Sequence, residues 1–268
     1  LGMSSSSFWI KFKVENNTND KKLILNLSLP LIDQLEFYIP TENNHFKKIT
    51  LGEAYPFHNR KYNDPNFIVD IPIKKNETKE VYLKVKSNEA IQLPITIGSE
   101  AAVFKSIKRK DLLSGIYCGI MIVMILYNLF VYFSVKDKSY ILYVIYIALV
   151  LLTQTILQGY PFQYLWPNYP MIAQYSFFIV PTLVGISSVF FMVSFLNLKQ
   201  NSIKLYKLSM IICIPYIISL GFALLGNFKL SVPIMEFSAG IVSFFMLYTG
   251  IFMIKKGYQP AKYFVVAW

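Results

Sequence analysis

The chain has 268 residues, 54% hydrophobic and 16% aromatic, with a mean hydropathy of +0.44 and a formal net charge of +11, which excludes an ordinary soluble domain. Its charge is sorted: residues 1–111 carry 17 basic and 13 acidic side chains, residues 112–268 carry 9 and 2. Loss of carboxylates beside retained lysines marks membrane topology, and the scattered basic residues, with no accompanying motif, argue against nucleic acid.

In residues 1–104 short segments alternate apolar and polar residues with period 2, as half-buried strands do. Ile10, Phe12 and Val14 form one such face, followed by Leu23 to Leu29, Leu35 to Ile39, Phe67 to Ile73, Val81 to Val85 and Ile91 to Ile97. Turn-rich stretches separate them: Asn16 to Lys22, Lys74 to Thr78 and Lys86 to Ala90. The expected fold is an antiparallel β-sandwich, jelly-roll-like or immunoglobulin-like, with strand order left open. The longest irregular stretch, Gly52 to Phe67, holds Tyr55, Phe57, His58, Arg60 and Tyr62. These side chains can stack on and hydrogen-bond a sugar or other polar small molecule, or they can plug the sandwich end while Arg60 bonds loop carbonyls. Trp9, Tyr38 and Tyr82 face outward, and His45 in ENNHFKK reads as a solvated turn.

Residues 105–111 form a basic juxtamembrane linker, KSIKRKD. From Leu112 onward, apolar runs over 112–135, 140–158, 172–196, 208–225 and 230–254 are each long enough to span hydrocarbon as helices, and 262–268 starts a sixth. Pro181 and Pro215 inside spans predict kinks. Lysines at 136, 138, 199, 204, 207, 255, 256 and 262 place the odd loops in the cytoplasm and the β-domain outside, against the basic cluster at Lys105 to Lys110, which is read as resting on lipid phosphates in preference to a direct role in ligand binding.

Glu236 is the one acid within a span, a functional group facing the bundle interior or an interfacial partner of Lys229. Asn128, Gln154, Gln158 and Gln174 read as interhelical hydrogen-bonding groups, and Gly115 and Gly119 as intramolecular packing in preference to a homodimer seam. Cys118 and Cys213 are buried hydrophobes, and the sequence predicts no metal site, cofactor or catalytic constellation. Sequons occur at Asn16, Asn26 and Asn76. The start lacks Met and a signal peptide pattern, so the chain reads as a fragment cut at both ends.

FWIKF (Phe8 to Phe12), LPLIDQLEFYIP (Leu29 to Pro40), YPF with Arg60, and VYLKVKS (Val81 to Ser87) resemble the second type of extracellular domain of bacterial seven-transmembrane receptors with diverse intracellular signalling modules. Leu112 to Tyr146, with GIYCGI, LYNLF and KDKSY, and then FQYLWPN (Phe162 to Asn168), resemble that family's integral domain. The resemblance implies a carbohydrate-binding-like sensor outside a bacterial plasma membrane. It also implies seven helices, of which five and the start of a sixth are present, and a cytoplasmic output module in the same chain: a histidine kinase, nucleotide cyclase, diguanylate cyclase or phosphatase. The rival reading is a transporter or channel whose path Glu236 and the glutamines would line.

Overall fold

A computed structural model describes residues 4–41, 45–87 and 91–268. Seven strands come first: β1 (Ser4–Glu15), β2 (Lys22–Leu27), β3 (Gln34–Pro40), β4 (Phe46–Leu51), β5 (Phe67–Pro72), β6 (Thr78–Ser87) and β7 (Ile95–Gly98). They form two antiparallel sheets, a four-stranded one in the order β1-β6-β3-β4 (sheet A) and a three-stranded one in the order β5-β2-β7 (sheet B). The alternation explains the layering, because Val14, Leu25, Leu35, Phe37, Val69, Ile71, Val81 and Leu83 point between the sheets and are buried together. Strand β4 lies where the sequence suggests only a solvated turn. Its FKKITL has lysines at consecutive positions and buries only Leu51, the pattern of an edge strand. The expected strand Ile91–Ile97 is shorter, beginning at Ile95, with Ile91 still in the core. Part of the turn Lys86 to Ala90 and of ENNHFKK, at positions 88–90 and 42–44, falls outside the described residues.

Helices follow: α1 (Glu100–Val135), α2 (Lys138–Leu157), α3 (Tyr160–Tyr164), α4 (Pro170–Phe195), α5 (Leu198–Asn201), α6 (Ile203–Ile212), α7 (Ile214–Leu224), α8 (Phe228–Lys255) and α9 (Pro260–Ala267). Among the described residues five stretches are long and apolar enough to cross a membrane: α1, α2, α4, α6 with α7, and α8. The fourth is broken at Cys213, where Pro215 has no N–H for the preceding turn. The segment read as a basic linker is helical and continuous with the first span. Val103 and Ile107, one turn apart, pack on Ile24 and Ile68 of the outer face of sheet B, leaving Lys105, Lys108 and Arg109 exposed.

The chain divides into two compact units. One comprises residues 1–116 and 154–174, and the other residues 117–153 and 175–268. In the second unit Gly185 admits the ring of Tyr216, whose Cζ would lie 2.2 Å from any added Cβ, and Tyr216 is fully buried there. Ser219 and Ser231 bond reciprocally to each other's carbonyls at 2.8 and 3.0 Å, tying α7 to α8. Within this chain Glu236 lies with Phe237 among the exposed residues of α8, while Ser238, Val242, Phe245 and Met246 are buried, and among the described residues it makes no ion pair with Lys229. Space around Gly115 and Gly119 is open, so the expected intramolecular packing there is not formed among the described residues.

Candidate functional site

The first unit contains more than the sandwich. It includes the outer ends of α2 and α4 and the uncharged segment between them, which docks on the irregular loop Gly52 to Phe67. Gly159 turns the chain with φ +79, and a Cβ there would sit 2.6 Å from Pro30 and 3.0 Å from Pro65, so only glycine fits. Phe57, in the 3-10 turn Phe57–Asn59, donates its N–H to Pro167 O at 2.9 Å. Its ring meets Phe162 edge-on at 5.7 Å, and with Ala173 and Trp166 the two form a separate apolar cluster. Gln163 Nε2 donates to Asn63 O and Oδ1 at 3.1 Å, and Gln174 Nε2 donates to Asp33 Oδ1 at 2.9 Å.

Arg60 is the centre of this junction. Its guanidinium carbon lies 4.6 Å from the Phe57 ring centre, 4.4 Å from Phe67 and 5.6 Å from Phe162. Nη1 donates to the carbonyls of Asp64 and Pro65, while Nε and Nη2 are buried with no protein partner. Nearby, Glu53 is 3% exposed, with Oε2 unpartnered. Burial, and then the neighbouring Asp33, push its carboxyl up to about 8, with Arg60 pulling in the opposite direction. Burial likewise lowers Arg60 to about 10, against the attraction of Glu53 and Asp64. The arrangement is a buried cation and a protonatable acid, held by aromatic rings between two loops. It fits a sensitive joint better than a catalytic site.

The five loop residues predicted from sequence are dispersed by the fold. Phe57 and Arg60 meet in the junction, Tyr55 is half-buried at the turn that follows β4, and His58 is exposed. Tyr62 turns the other way: its hydroxyl donates to Asp70 Oδ1 at 2.6 Å and its ring packs on Phe104 of α1. Glu53, Phe162 and Gln163 were missed by sequence reasoning, and only the uncharged loop carrying FQYLWPN hinted at the last two. Of the intramembrane candidates, Asn128 Nδ2 is bonded to Met124 O at 2.7 Å, Gln158 Oε1 accepts from Ser114, and Gln154 is exposed. A second surface lies on the outward face of sheet A. There Trp9, 59% exposed, packs against Tyr38 at 5.3 Å, and Phe46, 49% exposed, meets Tyr82 edge-on at 5.6 Å. Lys11, Lys48 and Lys84 lie over Tyr82, Tyr38 and Trp9, and Glu36 and Glu80 bind these lysines and the tyrosine hydroxyls.

This order, a two-sheet β unit followed by apolar spanning helices, is matched by two family models. The 7TMR-DISM extracellular 2 model matches residues 1–99, and the 7TM diverse intracellular signalling model matches residues 110–268. The chain belongs to this seven-transmembrane receptor family. It is therefore a multi-pass membrane protein with an extracellular N-terminal domain, and its family is one of signalling receptors. No curated protein and no solved structure matches the receptor chain.

Proposed function

We propose that the chain senses a carbohydrate-like ligand outside a bacterial plasma membrane and relays its binding through the helices to a cytoplasmic output module in the same protein. The observation that carries this reading is the composition of the first unit: the sensor strands and the outer ends of α2 and α4 fold as one body. The ligand surface is the outward face of sheet A, where exposed Trp9 and the Tyr38 and Tyr82 rings offer stacking area and Lys/Glu pairs offer hydrogen bonds to hydroxyls. Strand β3, which carries Tyr38, begins directly after Asp33, and Asp33 holds Gln174 at the start of α4. A ligand that favours one arrangement of β3 thereby favours one arrangement of the α4 end, and only to the extent that its affinity differs between the two.

The rival is a transport reading, in which Glu236 on α8 would line a solute path. The test uses the full-length receptor. Trp9→Ala should abolish binding on a glycan array, whereas Gln174→Ala should keep binding but shift the ligand dose at which output responds. Unchanged binding by Trp9→Ala, an unchanged dose response in Gln174→Ala, or solute flux in proteoliposomes without output would each overturn the proposal.

A further inference from the structure

The two sheets are unequal, four strands against three. Burial falls along the edge strand β4 from Leu51, which is in the core, through half-buried Ile49 to exposed Lys47. Lys47 pairs with Ile39, whose side chain points between the sheets, so Lys47 shares that inward face. Beside it opens a slot of about 350 Å³, with Ile39, Ile49 and Leu51 from sheet A and Ile68, Val69 and Pro72 from the edge strand β5. Lys22, Lys61 and Asp70 also line it.

The charges of these groups are unequally spent. Asp70 accepts from Lys61 and Tyr62 and lies 3.8 Å from Lys22, which reaches Glu100 at 2.7 Å. Lys47 has no ion pair among the described residues. An inward lysine on an edge strand also discourages pairing with another chain. That role needs only the charge and does not account for the apolar recess beside it.

We propose that this slot binds a small aryl or short-chain carboxylate, its apolar body on Ile39, Ile49 and Val69 and its carboxylate on Lys47. Volume and lining match those of small-molecule sites, in which apolar walls supply area and one or two polar groups fix orientation. The site is separate from the aromatic face, because Lys47 and Tyr38 project from opposite sides of sheet A. Its occupancy does not depend on what binds there.

The test is ¹⁹F NMR titration of 4-fluorophenylacetate onto the whole chain in nanodiscs of zwitterionic lipid. Saturable binding is expected, about tenfold weaker in Lys47→Gln, the loss of one charge-assisted hydrogen bond. The neutral 4-fluorophenylacetamide should bind the unmodified chain about tenfold more weakly than the acid, a comparison that needs no substitution. Ile49→Trp should fill the slot and abolish binding without altering charge, whereas Lys13→Gln on the outer face should leave it unchanged. No saturable binding, equal affinity for acid and amide, equal affinity in Lys47→Gln, or retained binding in Ile49→Trp would overturn the inference.

Discussion

Glu53 gives the junction a measurable pH signature. Its carboxyl is buried, is held near pKa 8 chiefly by loss of solvent, and has one oxygen without a partner. In the unfolded chain a glutamate titrates near ~4.3. Between those values the native state keeps a proton that the unfolded state has released, so stability falls as pH rises, by about 1.4 kcal/mol per pH unit. The loss is complete near pH 8 and amounts to about 2–3 kcal/mol between pH 6 and 8. Glu53→Gln supplies a neutral side chain of the same shape and removes this slope. The assay is urea unfolding of the whole chain in nanodiscs, followed by tryptophan fluorescence, since Trp166 packs against the Phe57–Phe162 cluster. Contributions from the other titrating groups are common to both proteins and cancel in the difference. The advantage of Glu53→Gln should grow by about 2–3 kcal/mol from pH 6 to 8. Parallel stability curves, or an unmodified chain that gains stability relative to the variant over that range, would refute the reasoning.

Gly159→Ala should cost about 2–4 kcal/mol in the same unfolding assay, combining a left-handed backbone for a residue with Cβ and contact with Pro30 and Pro65. An effect under about 0.5 kcal/mol would mean the turn relaxes freely. In the second unit, Ser219→Ala and Ser231→Ala should each destabilise by about 0.5–1.5 kcal/mol in denaturing-detergent unfolding. Because the two hydroxyls serve each other's carbonyls, a double-mutant cycle should give a coupling of at least about 0.5 kcal/mol, and strict additivity would exclude the reciprocal bonds.

The sandwich was legible where one strand face is buried and the other wet, because period 2 is then forced on the sequence. It failed at β4, whose inward position 47 is a lysine at an open edge. The segment at 105–111 looked like a linker because six of its seven residues are polar or charged. Its helix is specified by the sparser apolar pair Val103 and Ile107, which needs sheet B to be recognised. Phe57 and Arg60 were readable as loop groups that favour aromatic and carbonyl partners. Those partners were not, since Asn63 and Gln163 are 100 residues apart and local pattern carries no information at that range. Glu236 illustrates a different limit: on a helix apolar around its circumference, hydropathy fixes the span and leaves its rotation free.

The relative strength of the junction's parts bounds what the receptor can transmit. The Gln174–Asp33 bond is a single hydrogen bond to a carboxylate, worth about 1.5–3 kcal/mol at most, so breaking it changes the balance between two arrangements by roughly one to two powers of ten. The Phe57–Phe162 contact is buried on both sides, and truncating Phe162 removes about 3–5 kcal/mol. Packing therefore dominates: loss of Gln174 should retune the dose response, whereas Phe162→Ala should separate the sensor from the outer loop and leave output insensitive to ligand. Helix α4 continues unbroken from Pro170 to Phe195, although Pro181 leaves one carbonyl of the preceding turn without its usual partner. A displacement imposed at Gln174 meets that weakened turn two turns further on, about 10 Å along the axis. The turn at Pro181 is thus where such a displacement is either absorbed or converted into tilt. Pro181→Ala, by stiffening α4, should blunt the response to ligand if conversion at this turn governs; a sharper response would show that the turn absorbs the displacement, and an unaltered one that the displacement is carried along another helix.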